Sequence, residues 1–461
     1  MAQFTLRRDG SSVFGPKNKW GTFPAFSFGW NVLNEPYMQS AKPSWFNTMK
    51  VRFSWGQNGN ASIGNFLYTS LMDGGENYYF GGSYVPDMTG KAGTNAGSMV
   101  YGSSPGRVAN PDVKWETSEQ IDFGVDLRFL DSRLCFSFDY FNKKTKDMLA
   151  YMPVPTYIGQ SSPMGNLGRM KNWGYEFEIG WKDRIKDFTY YVNGNLSILK
   201  NKMIDLGNES GETDYEGAGA GGVGTYVHAK NGEVWPYFYG LKTNGIFQNW
   251  DEVNSYVGAS GNLIQPNAHP GDVRFVDLDG NGSIGSEDRT KIGKGAPDVT
   301  FGFTIGAEWK GFDFNAAFQG TLGNDVFDFA QRGDIPAMNR PTWILERWIG
   351  EGTSNKIPRM TAANPNGNWQ SSDLYIKNGS YMRLKTIQLG YTLPQSITRV
   401  ASIQRLRFYL AAENLLTFTG YKDGFDPELG GGDGASATAM GVDKGIYPQS
   451  RTVYIGANIT F

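Results

Sequence analysis

The sequence predicts an all-β protein, specifically an antiparallel β-barrel of the membrane-spanning kind. Three observations point there: strict two-residue alternation in segment after segment, breaks that alternate between short and long, and too little apolar content for a thick globular core. Hydrophobic residues make up 39% of the 461 residues, below the usual share for a soluble chain. A barrel needs less, because half of each strand faces a polar lumen.

The alternation is explicit. Ile121, Phe123, Val125, Leu127 and Phe129 alternate with Asp122, Gly124, Asp126 and Arg128. Val299, Phe301, Phe303, Ile305, Ala307 and Trp309 alternate with Thr300, Gly302, Thr304, Gly306 and Glu308. A helix would repeat every 3.6 residues, so these are strands with one apolar and one polar face. The same rhythm gives about twelve strands: 1–8, 22–32, 49–57, 117–130, 133–147, 170–183, 187–199, 298–309, 312–322, 380–393, 404–414 and 451–461. Most are near the length that crosses a bilayer at a tilt.

Between them lie short breaks at Asp131-Ser132, at Arg184 to Lys186, at Lys310-Gly311 and at 394–403, and long ones at 58–116, 200–297, 323–379 and 415–450. Outer-membrane barrels pair short periplasmic turns with long extracellular loops, whereas a soluble sandwich has no reason to sort loops by parity. Parity sends the last strand downward, to end in the periplasm. Val453, Ile455, Ala457, Ile459 and Phe461 share one face of it, and Tyr454, Gly456, Asn458 and Thr460 the other. Tyr454, Ile459 and the terminal Phe461 are the expected signal for the barrel-assembly machinery; an edge strand that merely ends in Phe is the alternative. Trp181, Trp309 and Phe312 fall at short-turn ends, where an interfacial aromatic girdle belongs.

A net charge of −2 gives no basic field for nucleic acid. One cysteine, Cys135, excludes an intrachain disulfide, and two histidines exclude a multi-histidine metal site. No apolar run approaches a transmembrane helix. The first residues, MAQFTLRRDG, lack an apolar signal region and read as mid-strand. Either export is encoded upstream of a fragment or the chain is not exported. No nucleophile elbow, P-loop or zinc motif appears, so an enzyme is not expected.

Two candidate sites stand out. Asp277, Asp279, Asn281, Ser283 and Asp288 fall at positions 1, 3, 5, 7 and 12 of a calcium loop, with Gly282 at position 6. Aspartate rather than glutamate at the last position predicts weak affinity, and a metal-free Asp/Asn/Gly turn is the alternative. The long loops also carry Trp235, Tyr237, Trp369 and Tyr375, which could stack on sugar rings or simply pack loop against loop.

Five segments resemble the SusC/RagA family of TonB-dependent outer-membrane transporters, in the family's order. They are RRDGSSVFG (7–15) with WGTFPAFSFGWNV (20–32); NPDVKWETSEQIDFGVD (110–126) with FDYFNKKTKDML (138–149); NLGRMKNWGYEFEI (166–179); DLDGNGSIGSEDRTKIGKGAPDVTFGF (277–303); and YIKNGSYMRLKTIQLGYTLP (375–394) with ENLLTFTGYKDGFDPELGG (413–431) and the terminal strand. The resemblance implies that residues 1–461 are the C-terminal part of a 22-stranded barrel, with the signal peptide, TonB box, plug and first strands absent. It implies import of an oligosaccharide or peptide across the outer membrane of a Gram-negative bacterium. The implied partners are a SusD-like lipoprotein lid and, through the absent part, the TonB complex. A passive or adhesive barrel and a secreted carbohydrate-binding protein are the alternatives. No cofactor is required, apart from possible calcium at 277–288.

Overall fold

The structure is a computed structural model describing all residues except 75–77, 81–97, 101, 153, 217–222, 332–338, 423 and 430–436. Parts of all four expected long breaks, and of the 413–431 motif, therefore lie outside the described residues.

All twelve expected strands are present and form one sheet in chain order. They are β1 (Ala2–Gly10), β2 (Trp20–Asn31), β3 (Phe46–Asn60), β4 (Glu116–Phe129), β5 (Leu134–Tyr151), β6 (Met164–Ile185), β7 (Phe188–Asp205), β8 (Val299–Trp309), β9 (Phe312–Leu322), β10 (Tyr381–Thr392), β11 (Arg405–Thr419) and β12 (Thr452–Thr460). Every adjacent pair is antiparallel. Several strands run further than the alternation indicated. The longest, β6, has 22 residues against the expected 170–183, because its first turns pair with β5 beyond the bilayer-length segment. Among the described residues the outer edges of β1 and β12 have no partner strand, and the sheet is not closed.

Register sets the two faces. Val51, Val125, Phe138, Phe177, Leu196 and Phe301 lie side by side across six strands, and Trp181, Val192, Ile305, Ala316, Ile387, Ala412 and Val453 across seven. The other face carries Arg52, Asp126, Asp139, Glu178, Asn195, Thr304, Gln319 and Arg383. Apolar side chains on the first face are exposed in the isolated chain, Ile455 by 82%. In water such a face would drive aggregation; in lipid it is the favourable arrangement.

The short turns are tight. Lys310 and Gly311 both have positive φ (45° and 90°), as a two-residue hairpin of the primed type requires. At this end Phe188, Trp309, Phe312, Tyr391 and Phe408 form one row, with the Phe312 and Tyr391 rings 4.5 Å apart. Trp45, Phe46 and Phe129 stack further round the sheet. The expected girdle positions Trp309 and Phe312 belong to this row, while Trp181 lies two same-face rows nearer the strand centres. No described helix is long and apolar enough to cross a membrane.

Candidate functional sites on the long-loop side

The long connections fold into structure of their own. The β7–β8, β9–β10 and β11–β12 connections share a core of Val223, Tyr226, Val227, Phe238, Ile292, Phe327, Trp369, Tyr375 and Val442. It is built on a four-stranded sheet of Glu212–Glu216, Val227–Lys230, Tyr237–Leu241 and Arg289–Gly293 and a three-stranded one of Asp325–Asp328, Ile376–Asn378 and Val442–Asp443. The β1–β2 and β3–β4 connections and the start of β6 make a smaller cluster around Phe14, Leu67, Val113 and Met164.

Two of the loop aromatics, Trp369 and Tyr375, belong to this core and pack loop against loop; Tyr237 is buried on the other face of the four-stranded sheet, beside His228. Tyr375, Trp369 and Tyr237 are only 1%, 3% and 4% exposed. Tyr375 stacks on Phe327 at 4.9 Å and donates its hydroxyl to the Trp369 carbonyl at 2.9 Å. Burial pushes the Tyr237 phenol well above its ordinary value, so it stays neutral. Little of these rings is open to solvent, although Trp369 lines part of a pocket with Trp343, Ile357 and Leu374. Trp235 is half-buried, its backbone clamped by Asn201 at 2.6 and 2.9 Å.

The acidic turn is formed, with part of its expected ligand set. Carboxylate oxygens of Asp277, Asp279 and Asp288 lie within 4.8 Å of one another. Asn281 does not direct its oxygen to them: it accepts from the Ser283 amide and hydroxyl at 2.8 and 2.7 Å. Asp277 accepts from the amides of Gly280 and Gly282, both at 2.8 Å, and buried Asp288 from those of Leu278 and Gly285 at 2.6 and 2.7 Å. Desolvation would raise the Asp277 carboxyl, but these amides outweigh it and hold it below its usual range. Positive φ at Gly280 and Gly282 makes the bend (73° and 86°).

On the polar sheet face, the Arg52 guanidinium bonds both oxygens of Asp126 at 2.8 and 2.9 Å and Asp139 at 2.9 Å. Gly124 lies beneath this network, where a Cβ would fall 2.3 Å from an Asp139 oxygen. A second network joins sheet to loops. Arg383 on β10, 3% exposed, binds Asp426 and Glu428, both at 2.6 Å, and Lys385 binds both oxygens of Glu428 at 2.8 Å. Against β9, a register shift between Ala317 and Phe318 leaves Lys385 as the extra residue of β10, beside Arg383. Sequence reasoning missed this cluster. The signal was available: two cations begin one strand and two acids follow the next, so a single hairpin brings both to the long-loop end.

A third feature also went unnoticed: His228, 6% exposed, has Nδ1 2.7 Å from Asp214. On β12, Tyr454 lies on the polar face and its hydroxyl donates to Glu413 at 3.4 Å. Ile459 lies beside Leu406 on the apolar face, and Phe461 follows the strand, exposed.

A twelve-stranded antiparallel meander, apolar on one face, with its long connections gathered at one end, is the architecture of a receptor β-barrel wall. Residues 1–415 match the family described as TonB dependent receptor-like, beta-barrel, and the chain belongs to that family. It is 34% identical over 99% of its length to TonB-dependent receptor P3 of Formosa agariphila, covering 44% of that protein. It is 29% identical over 99% of its length to TonB-dependent receptor SusC of Bacteroides thetaiotaomicron, covering 42% of it. A solved structure of the RagAB peptide importer in the closed-closed state superposes with a TM-score of 0.76 at 25% identity, over 100% of this chain and 46% of that one. The chain thus spans less than half the length of the relatives it matches.

Proposed function

We propose that the chain forms the C-terminal part of an outer-membrane importer energised by TonB, which takes up an oligosaccharide or peptide with a SusD-like lipoprotein as its lid. The observation that carries this reading is the sorting of the connections. Two-residue turns and an aromatic row occupy one end of the sheet, and a folded loop module occupies the other. That asymmetry fits a barrel whose outer mouth recognises cargo and whose inner rim only turns the chain. The lipoprotein lid and the TonB complex are inferred from the SusC and RagAB likeness, the latter acting through parts outside this chain; the barrel-assembly machinery would read β12.

The test uses the complete receptor in its native host. A tag in loop 323–379 should be labelled on intact cells, and one at Lys310-Gly311 should not. Uptake of the cognate nutrient should cease on deletion of tonB. Labelling at Lys310-Gly311 alone would invert the topology. Uptake that persists without TonB would leave a passive barrel, and recovery of the receptor in the culture medium a secreted binding protein.

We also propose that Asp277, Asp279 and Asp288 hold a hard divalent cation, calcium by donor chemistry. Three carboxylates converge there, and among the described residues none pairs with a lysine or arginine. Chelation should then raise protease cleavage within 277–288, and Asp279→Ala should do so without chelator. A cleavage pattern indifferent to chelation would assign the turn to its amide hydrogen bonds alone.

A further inference from the structure

The loop module contains a polar cavity that neither the barrel nor the acidic turn explains. Its volume is about 600 Å³, inside the range of small-molecule sites (about 300–1,000 Å³). One wall is the outer face of the four-stranded loop sheet. Val227 and Ala229 are buried on the core side of their strand, so the intervening His228 points the other way, into the cavity.

The imidazole is held on three sides. A carboxylate can only accept, so the 2.7 Å contact with Asp214 places the ring proton on Nδ1. Asp214 is itself steadied by the Thr225 hydroxyl at 3.2 Å. The ring stacks on Tyr239 at 4.4 Å and 18°, and meets Tyr237 edge-on at 5.5 Å. Nε2 is left facing the cavity, 3.8 Å from Glu212 and beyond hydrogen-bond reach. Fixing an imidazole this way restricts its freedom before any ligand arrives, which is what a pre-formed site requires.

The opposite wall is the acidic turn, through Ile284, Gly285 and Ser286. Asp288 holds the Gly285 amide at 2.7 Å, so the turn fixes this wall whether or not it carries a metal. Arg289, the next residue, lines the cavity, its guanidinium donating to the Thr225 carbonyl at 3.2 Å. Gln370 completes the lining.

We propose that this cavity is a binding site for a neutral, hydroxyl-rich ligand, a saccharide unit, read by His228, Asp214, Arg289 and Gln370. The proposal rests on the import reading for its biological direction. The chemistry favours a sugar over a peptide. Both carboxylates already hold a protein donor, Glu212 the Lys230 ammonium at 3.1 Å and Asp214 the His228 imidazole at 2.7 Å. Ile284 is the one aliphatic side chain in the lining, so this cavity offers little surface to an apolar side chain. What remains is a mixture of donors and acceptors at close spacing, which matches vicinal hydroxyls.

The experiment uses the full-length receptor, purified in detergent, on an array of neutral gluco-, galacto-, manno- and xylo-oligosaccharides printed beside random hexapeptides. The strongest oligosaccharide is then titrated calorimetrically. His228→Ala and Asp214→Asn should each weaken it at least tenfold. Ser286→Trp, at an exposed rim position, should do the same by filling the cavity without touching the imidazole. Trp250→Ala, an exposed loop aromatic outside the cavity, should leave affinity unchanged. Heat-modifiable electrophoretic migration and an unchanged protease pattern show that each variant is folded. If His228→Ala loosens the loops, Ser286→Trp decides. The proposal is overturned if no oligosaccharide binds, if binding survives Ser286→Trp, or if these variants abolish peptide binding instead. Uptake with and without TonB is scored separately. TonB-dependent uptake of a peptide with no sugar binding sinks the cavity and spares the importer; sugar binding lost in Ser286→Trp without TonB-dependent uptake does the reverse.

Discussion

The sheet and the loop module of this chain obey opposite rules with similar residues. In the sheet, Phe4, Phe53, Ile305, Leu410 and Ile455 point outward and are exposed. In the loops, Phe238, Phe275, Phe327 and Val442 are buried almost completely. Charge is inverted to match: Arg52, Asp126 and Asp139 line the inside of the sheet, whereas Glu212, Lys230 and Lys291 lie on the outside of the module. Burial alone therefore does not identify a core. A strand in lipid puts its apolar face outward because the solvent there is hydrocarbon, and a loop module in water must enclose its own.

That contrast can be broken from either side, and the loop side should respond most. Phe327 packs against Tyr226 at 4.9 Å, Phe238 at 5.6 Å and Tyr375 at 4.9 Å. Phe327→Ala should destabilise the module by about 3–5 kcal/mol, the usual cost of emptying an aromatic core site. Limited proteolysis should then cut within 206–298 and 323–380 while heat-modifiable migration of the barrel persists. Joint loss of both would mean that sheet and module form one cooperative unit.

Arg383 tests the joint between the two regions. It reaches from β10 to Asp426 and Glu428 with little solvent around it. Arg383→Ala leaves an uncompensated buried acid, so a penalty of about 3–5 kcal/mol is expected. It should appear as cleavage near 420–429. Adding Asp426→Asn should recover much of the loss, because the stranded charge is then gone. Failure of that rescue would place the cost in lost packing rather than in the ion pair.

On the sheet side, Phe303 lies on the apolar face, stacked on Phe318 at 4.5 Å, and neighbouring Thr304 lies on the polar one. Phe303→Arg should cost about 2–4 kcal/mol if the position faces the bilayer midplane. Thr304→Arg should be far milder, since its face is polar. Folding titrations into lipid vesicles measure both, and equal penalties would show that the faces are misassigned.

These outcomes also mark what the sequence disclosed. All twelve strands and their two faces were legible, because a period of two repeated over a bilayer's width leaves few other folds. Their ends were less so: β6 and β11 run on past the apolar alternation, held by backbone pairing that leaves no compositional trace. The loops were the least legible. Tyr375 and Trp369 looked like surface platforms because loop aromatics usually sit near solvent, and only contacts between segments as distant as Val223 and Val442 bury them. The acidic turn was read nearly whole because its hydrogen bonds are local. The His228–Asp214 pair and the Arg383–Asp426 pair were not, since each depends on which strands become neighbours.

The smallest expected effect is on pH, and it again separates loops from sheet. Burial alone would raise the Asp426 carboxyl; the Arg383 guanidinium and the amides of Gln449 and Glu428 outweigh it and hold it below the usual value of 3.8. A group depressed in the folded state contributes stability above its unfolded value and loses it as pH falls through the folded one. The 420–429 segment should therefore keep constant protection between pH 7 and pH 5, and loosen only in strong acid, below the ordinary aspartate range. Hydrogen exchange of the Gln449 amide, which Asp426 accepts at 2.9 Å, reports this directly once corrected for its intrinsic pH dependence. In the Arg383→Ala variant the onset of loosening should move up toward the ordinary carboxylate range, because burial is then opposed by the amides alone. An onset unchanged by that substitution would show that the amides, and not the bridge to the sheet, hold the loop.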